Sequence, residues 1–179
     1  TRAPAGVRPL MNPDPFPGFL MGFNPCKPTS VGNIQISSTD PLLPPKIYSN
    51  YLDTEYDKKM MIEGIRLIRR IANAPALNSI IKDELAPGVG IKSETDIAKY
   101  IRQKAWSVFH PCSTCRMGSN PNVSVVDPKL RVHGVDNLRV VDASIFPTIP
   151  TGNINAPSIM VGEYASDIIL KDARNQKGL

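Results

Sequence analysis

The stretch VFHPCSTCRMG, residues 108–118, contains residue types that support several kinds of chemistry. His110 stands two residues ahead of Cys112, and Cys115 completes a Cys-x-x-Cys pair. Thiolates and imidazoles bind zinc, a Cys-x-x-Cys pair can cycle between dithiol and disulfide, and a lone histidine can act as a general base. The rest of the sequence has to distinguish these three possibilities.

A zinc site is disfavoured by the number and spacing of the available ligands. Structural zinc sites use four N or S ligands and catalytic sites use three plus water, whereas the further candidates Cys26 and His133 stand alone. The zinc deaminase signature also requires an upstream His-x-Glu, and neither histidine is followed by x-Glu. Zinc binding through His110, Cys112 and Cys115 is therefore a weak alternative, and we expect no metal site.

The Cys-x-x-Cys pair also lacks the usual context of a redox motif. A thioredoxin-like pair lies at the start of a helix directly after a strand, whereas this pair follows a predicted helix and continues into Arg-Met-Gly. We therefore interpret Cys112 and Cys115 as small packing residues. For His110, the alternative to catalysis is a histidine in the core or at a helix cap.

Two downstream stretches could complete a site with His110. VVDASIFP, residues 140–147, has a short β-branched run that ends at Asp142, and PTGNINAP, residues 150–157, places Asn153 and Asn155 before a predicted helix. A helix N-terminus carries about half a positive charge and suits an anionic group. Turn formation and helix capping are the alternative roles of both asparagines, and the residues alone leave both readings open.

The first two thirds of the chain predict two extended segments followed by two helices. Residues 33–38 alternate as a strand does, and residues 46–52 form a second extended segment. A pattern like a capping box starts one helix at Thr54, and Ser93 starts another. The Pro-rich first 28 residues exclude a continuous helix and predict an irregular segment that wraps around other parts. The apolar helix faces are Met61, Ile65, Ile68 and Ala72 in the first helix, and Ile97, Ile101, Ala105 and Val108 in the second.

The last third changes character. Short β-branched runs alternate with turns, a pattern that predicts short strands. Residues 158–170 predict a final helix with Pro157 near its first turn, and the charged tail, residues 171–179, is expected to fray. The β-branched runs are residues 123–126, 130–132 and 138–141, and the inward residues of the final helix are Val161, Ala165 and Ile168.

Composition excludes several function classes. The net charge is +5, but the basic residues are scattered, and the cluster of Arg66, Arg69 and Arg70 is typical of a solvated helix face rather than a nucleic-acid site. No apolar run approaches the ~18 residues of a membrane span, so we expect no transmembrane segment. An odd number of cysteines, three, favours a reducing compartment. We expect the cytoplasm, with an organelle or peripheral membrane association left open.

Four motifs resemble, in order and spacing, the C-terminal part of the glucose–methanol–choline (GMC) family of FAD-dependent alcohol oxidoreductases, and within it most the choline dehydrogenases. They are GNIQISSTDPLLPPKIYSNYL, VFHPCSTCRMG, VVDASIFPTIPTGNINAP and IMVGEYASDII, and they span roughly residues 30–170. The resemblance implies an α+β fold. Residues 1–118 would form a substrate-binding domain with an antiparallel sheet and helices, and residues 119–179 would supply the C-terminal strands and helix of an FAD-binding α/β domain.

The resemblance also implies the site residues. In such enzymes the histidine of a His-Pro motif and a later His or Asn face the flavin, and the matching positions are His110 and Asn153. His110 would take the hydroxyl proton of a small alcohol whose carbon passes hydride to flavin N5, while Asn153 would hydrogen-bond the developing alkoxide. The start of the last helix would stabilise negative charge on the reduced flavin. The implied cofactor-binding residues are Asp142, Ala143, Asn153, Ile154 and Asn155.

One departure from the family pattern matters. The fingerprint Gly-x-Gly-x-x-Gly is absent, so we expect a C-terminal fragment that works with the N-terminal FAD-binding half of the same protein and does not hold FAD tightly alone. The alcohol and the electron acceptor, oxygen or a quinone, are left open. Trp106 and Phe109 are candidates for a cage around a quaternary ammonium, with core packing as the expected role of both. A non-catalytic binding or scaffold module with this fold is the alternative from another class.

Overall fold

The computed structural model describes residues 14–176, so the Pro-rich residues 1–13 and the final residues 177–179 of the predicted frayed tail lie outside it. Residues 14–28 contain no helix or strand, as predicted for the irregular start. The fold is α+β, with helices and a small antiparallel sheet. The elements are β1 (Asn33–Gln35), β2 (Lys46–Tyr48), α1 (Glu55–Ala72), α2 (Pro75–Asn78), α3 (Glu94–Lys104), a 3₁₀ turn (Ala143–Ile145) and α4 (Asn155–Gln176).

The predicted pair of extended segments forms a hairpin. β1 and β2 are antiparallel, with Ile34 opposite Ile47. Each strand has three residues, fewer than the alternating pattern predicted, and all six are exposed. A strand whose two faces are both exposed gains little from hydrophobic burial. Little therefore stabilises pairing beyond the three residues of each strand.

The two predicted helices of the middle region pack against each other. The side chains of Thr54 and Ser93 accept hydrogen bonds from the third helical residue of α1 and α3, which confirms both predicted starts. Ile65 of α1 meets Ile97 and Ile101 of α3 in a buried cluster. Met61, Ile62, Leu52, Ile91, Tyr100 and Phe23 pack around this cluster.

The predicted extent of α3 is wrong. The helix ends at Lys104, and Ala105 has an extended backbone with φ −62° and ψ 148°. The apolar spacing continues to Val108, but the backbone leaves the helix before that residue, so its side chain stays 46% exposed. The two basic residues of the last turn, Arg102 and Lys104, suit a helix C-terminus at this point.

A buried carboxylate joins the segment before β1 to α1. Asp57 is 2% exposed, and the backbone N–H groups of Thr29 and Ser30 each donate to one of its oxygens at 2.8 Å. Both hydroxyl groups donate to Asp57 as well, and Ser30 Oγ accepts from the N–H groups of Asp53 and Thr54. Burial by itself would raise the pKa of Asp57, but these hydrogen bonds outweigh it and lower the pKa below its usual 3.8.

A glycine inside α1 provides space for an aromatic ring. The Phe23 ring lies directly on Gly64, where an added Cβ would overlap the ring atoms. We call α1, α2 and α3 together with residues 23–30 the helical unit. Within residues 14–176, no helix or strand of this unit contacts the 3₁₀ turn or α4.

Residues 112–176, which we call the C-terminal unit, have a core of their own. The buried residues are Val126, Leu130, Ile145, Phe146, Val161 and Ala165. The prediction of short strands at residues 123–126, 130–132 and 138–141 is wrong in detail, because these runs form isolated bridges such as Val126 with Val132. Turns at Asp127–Leu130 and Val132–Val135 interrupt pairing after one residue pair.

The final helix is longer than predicted. α4 begins at Asn155 and continues to Gln176, so residues 171–176 are helical rather than frayed. Arg139 pairs with Asp172 near the end of this helix. This ion pair stabilises the last turns of α4, which the sequence alone predicts as frayed. The predicted inward residues Val161 and Ala165 are buried and confirm the predicted face.

In the part of the chain that the structure describes, no helix is both long enough and apolar enough to cross a membrane. The core of the C-terminal unit includes contacts from Cys112 and Met117, which precede the boundary predicted after residue 118. The division into a substrate-binding and an FAD-binding domain stays a prediction.

Candidate functional site

His110 lies on the connection between the two units. It follows the end of α3 by six residues and precedes Cys112, which packs against the core of the C-terminal unit. The His110 side chain is half-buried. Within residues 14–176 it makes no side-chain hydrogen bond, so its ring nitrogens are available to another group.

The backbone next to His110 adopts an uncommon conformation. Phe109 has φ +60° and Ser113 has φ +73°, values in the left-handed region that non-glycine residues seldom occupy. The Phe109 N–H donates to Ser107 Oγ at 3.0 Å, and this contact stabilises the turn. Backbone strain of this kind persists where the surrounding structure requires it and is common at functional sites.

The expected core packing of Trp106 and Phe109 is wrong. Trp106 is 75% exposed and Phe109 is 74% exposed. Because α3 ends at Lys104, both rings leave the helix face that would have buried them. They contact each other edge to face, with centroids 6.0 Å apart. An exposed aromatic pair therefore lies directly before His110.

The cysteines are free thiols. Cys112 packs against the core of the C-terminal unit, as the packing interpretation predicts, and its Sγ lies 3.3 Å from Ser113 Oγ. Cys115 is half-buried. Among residues 14–176, no group of three or more His, Cys, Asp or Glu side chains could hold a metal ion.

Hydrogen bonds join residues 108–118, which we call the His110 motif, to the 3₁₀ turn capped by Asp142, which we call the Asp142 turn. The Cys115 N–H donates to the Ser144 carbonyl at 2.9 Å, and the Met117 N–H donates to the Ile145 carbonyl at 2.8 Å. The structure thus brings together two stretches that are about thirty residues apart in the sequence. The hydrogen bonds begin at Cys115, five residues after His110, and reach the turn that starts at Asp142.

The Asp142 turn presents polar groups. Asp142 is exposed and caps the 3₁₀ turn, where its Oδ1 accepts from the Ser144 N–H at 2.7 Å. Ala143 packs against the core of the C-terminal unit. The Ser144 Oγ is buried and has no hydrogen-bond partner within residues 14–176. A buried hydroxyl without a partner is uncommon. The only feature of the sequence that could have marked Ser144 as a site residue is its place within VVDASIFP.

The start of α4 carries the remaining candidates. Asn153 and Asn155 are exposed, and Ile154 packs against the core. Ile154 precedes the helix, and its side chain has no atom that could cap the first N–H groups. The Ser158 N–H and hydroxyl both donate to the Ile154 carbonyl, at 2.9 and 2.6 Å. No hydrogen bond within residues 14–176 links Asn153 or Asn155 to the His110 motif.

Comparison with known proteins identifies the family. Residues 28–162, about three quarters of the chain, match the family model of the C-terminal domain described as GMC oxidoreductase. The chain belongs to the GMC oxidoreductase family. Three of its four motifs, the His110 motif among them, lie wholly within the matched residues and the fourth begins there, so the predicted resemblance is confirmed.

Curated relatives cover most of this chain. The oxygen-dependent choline dehydrogenase of Vibrio vulnificus is 44% identical over 154 residues, which are 86% of this chain and 28% of that protein. The alcohol dehydrogenase (acceptor) of Pseudomonas putida is also 44% identical, with the same coverage of 86% and 28%. The chain thus spans little more than a quarter of the length of these relatives.

Solved structures agree with this assignment. An FAD-dependent oxidoreductase from Chaetomium thermophilum has a TM-score of 0.79 at 31% identity, over 83% of this chain and 26% of that one. Pyridoxine 4-oxidase from Mesorbium loti has a TM-score of 0.75 at 34% identity, over 79% of this chain and 28% of that one.

Proposed function

We propose that this chain supplies the C-terminal part of an FAD-dependent alcohol oxidoreductase similar to choline dehydrogenase, acting on a CH–OH donor. The pair of hydrogen bonds between the His110 motif and the Asp142 turn carries the proposal. They join the stretch with the candidate base to the stretch with candidate cofactor-binding residues. Family membership and the names of the relatives support the same reaction class.

The polar groups near Asp142 fit a polar cofactor such as FAD. Ser144 Oγ is buried and has no partner within residues 14–176, and Ile154, which precedes α4, has a side chain that cannot cap the helix. A helix N-terminus favours negative charge. In this proposal Asp142, Ala143, Asn153, Ile154 and Asn155 would hold FAD. When bound, FAD supplies the acceptor for the two electrons and the hydrogen that leave the alcohol carbon.

His110 is the proposed base. A neutral imidazole can take the hydroxyl proton of an alcohol, and the ordinary pKa of histidine is close to physiological pH. The half-buried ring makes no side-chain hydrogen bond within residues 14–176, so a ring nitrogen is available to accept that proton. Asn153 is exposed, and its amide N–H would stabilise the developing alkoxide by donating a hydrogen bond.

We further propose that residues 1–118 contribute to a substrate-binding domain and residues 119–179 to an FAD-binding domain. The Gly-x-Gly-x-x-Gly fingerprint is absent from these 179 residues. Tight FAD binding therefore requires an N-terminal half of the same protein. A purified 179-residue chain with stoichiometric flavin absorbance would contradict this part of the proposal.

The decisive experiment compares His110→Ala with the wild-type flavoenzyme. A screen of alcohols with an artificial electron acceptor first identifies the substrate. We expect His110→Ala to lower turnover by about 10²–10⁴-fold, as for loss of a general base, while flavin content stays close to wild type. Normal turnover of this variant would remove His110 from the mechanism. A wild-type protein that no alcohol reduces would favour the non-catalytic scaffold.

A further inference from the structure

A second histidine, His133, belongs to a hydrogen-bonded cluster at the end of the His110 motif. Its Nε2 lies 3.1 Å from Ser124 Oγ and 3.1 Å from the Gly118 carbonyl oxygen. Ser124 is 9% exposed, and its Oγ also lies 3.0 Å from that carbonyl and 2.6 Å from the carbonyl of Asn120. Two side chains therefore meet at the carbonyl group that ends VFHPCSTCRMG.

The pair does not have the arrangement of a nucleophilic serine. A nucleophile needs access to substrate and a histidine that accepts its proton, whereas Ser124 is buried and its shortest contact is to the Asn120 carbonyl. If the Ser124 hydroxyl donates there, the Gly118 carbonyl requires the N–H of His133 Nε2. The neutral Nε2–H tautomer and the imidazolium ion both supply this donor, so the contact persists in both protonation states of His133.

Gly118 fits closely against Ser124. A Cβ at Gly118 would lie 3.1 Å from Ser124 Cβ and 3.3 Å from Ser124 Oγ, closer than most real contacts. The Gly118 N–H donates to the Val126 carbonyl at 2.9 Å, and the Val125 N–H donates to the Arg116 carbonyl at 2.9 Å. One edge of residues 115–118 is therefore fixed to residues 124–126.

The other edge of the same segment faces the Asp142 turn. Cys115 and Met117 donate to the carbonyls of Ser144 and Ile145, while Arg116 and Gly118 bond to residues 125 and 126. This alternation is that of an extended segment with a partner on each edge. A shift at Gly118 would consequently change both the position of the His110 motif and its contact with the Asp142 turn.

We propose that Ser124 and His133 are positioning residues for alcohol oxidation, because they fix Gly118 and thereby the segment that connects His110 to the Asp142 turn. This inference rests on the proposed function. Misplacing a reacting group by about 1 Å can cost about 10²-fold in rate. The effect of losing either residue is therefore smaller than the loss of the base itself.

The test uses the complete flavoenzyme that contains this chain and follows anaerobic flavin reduction by the alcohol found in the screen. We expect His133→Ala to lower kcat and the flavin reduction rate by about 10- to 100-fold. Flavin content, KM within about threefold and the midpoint of the pH–rate profile stay near wild type. His133→Gln keeps an N–H donor and recovers the rate to within about threefold. Val135→Ala, at an exposed neighbouring position, is the control.

Three kinetic results for the His133 variants overturn the inference. They are a wild-type rate in His133→Ala, a shifted pH–rate midpoint, which would make His133 a catalytic residue, and no recovery in His133→Gln. If His133→Ala does not fold, Ser124→Ala replaces it, and an unchanged rate there also overturns the inference. Amide hydrogen exchange of Met117 and Gly118 gives a separate readout: exchange in His133→Ala that is no faster than in wild type would contradict the fixing of this segment. If no alcohol reduces the wild-type flavin, the proposed function has failed, whereas an active wild type with an unaffected His133→Ala refutes the inference alone.

Discussion

The helical unit and the C-terminal unit are stabilised by different kinds of interaction. In the helical unit, a buried carboxylate at Asp57 joins one loop to α1, and the Arg69–Glu84 ion pair joins another. Arg69 also donates to the carbonyls of Gly88 and Ile91. The C-terminal unit instead relies on a larger buried apolar cluster, with short hydrogen-bonded contacts between single residue pairs.

This difference has a consequence for the candidate site. In the helical unit the Asp57 carboxylate and the Arg69–Glu84 ion pair already have partners within the unit, so these groups are not available to a ligand. In the C-terminal unit the apolar cluster around Ile145 stabilises the turn, while Asp142 and Asn153 remain exposed and Ser144 Oγ has no partner within residues 14–176. Under the proposed function, stability and ligand binding would thus depend on different residues there, which is what a preorganised site requires.

The largest predicted effect is on the C-terminal core. Ile145 is 2% exposed and lies in the 3₁₀ turn that contacts α4, so Ile145→Ala should reduce the free energy of unfolding by about 2–5 kcal/mol. Denaturant unfolding measures this loss. Ile36→Ala, at a 91% exposed position, should change it by less than about 0.5 kcal/mol.

The same variant tests whether the two units are separate. Because no helix or strand of the helical unit contacts α4 or the 3₁₀ turn within residues 14–176, Ile145→Ala should speed amide exchange in residues 115–165 only. Equally accelerated exchange in α1 would mean that the units unfold as one, and the comparison would fail.

The next effect is at Asp57. Asp57→Asn replaces a carboxylate that accepts from four donors with an amide that has one acceptor oxygen, so some Thr29 and Ser30 donors lose their partner. We expect a loss of about 1–3 kcal/mol. Amide exchange at Thr29 and Ser30 should accelerate, with residues 115–126 unchanged. The exposed Asp53→Asn is the matched control.

Acid provides a further test of the Asp57 network. Its pKa is lowered in the folded state from the usual 3.8, so the carboxylate contributes stability above that value, and the contribution is lost as pH falls through the lowered pKa. Asp127 of the C-terminal unit also has a lowered pKa, since hydrogen bonds with Arg131 outweigh its burial, but its side chain is 19% exposed. Exchange followed from pH 5 to pH 2 should therefore show residues 29–30 losing protection as Asp57 is protonated, and residues 129–131 losing protection as Asp127 is protonated. An identical pH dependence in Asp57→Asn would assign the opening to another group.

The sequence predicted those elements whose signals are local. Thr54 and Ser93 start helices because the capping hydrogen bond spans only three residues. Helical spacing likewise identified Ile65 and Val161 as core residues. The end of α3 was missed because apolar spacing continues to Val108 although the backbone does not.

Contacts between distant residues could not be predicted in this way. Ser124 and His133 are separated by a turn, and neither has a pattern that marks it as a partner of Gly118. The Asp57 network was hidden because an aspartate in a first helical turn is common and indicates only the helix start. The residues themselves marked His110 and Asn153 as candidates, but their roles came from the family resemblance and stay predictions.

The smallest predicted effects come from two glycines that lie inside helices, one in each unit. Gly64 of α1 contacts the Phe23 ring, whereas Gly162 of α4 has no atom within 4 Å of an added Cβ. Alanine favours a helix over glycine by up to about 1 kcal/mol. Gly162→Ala should therefore stabilise the protein by that amount or less, while at Gly64 the overlap with Phe23 costs about 1–3 kcal/mol and reverses the sign.

A double-mutant cycle separates the two contributions at Gly64. Phe23→Leu shortens the side chain that an alanine at position 64 would meet, so Gly64→Ala should destabilise less in the Phe23→Leu background than alone. Unfolding free energies of the four proteins measure the coupling, and additive effects would show that the ring is not the obstacle. A destabilising Gly162→Ala would contradict the open space that the structure shows around this position, and the contrast between the two glycines would fail.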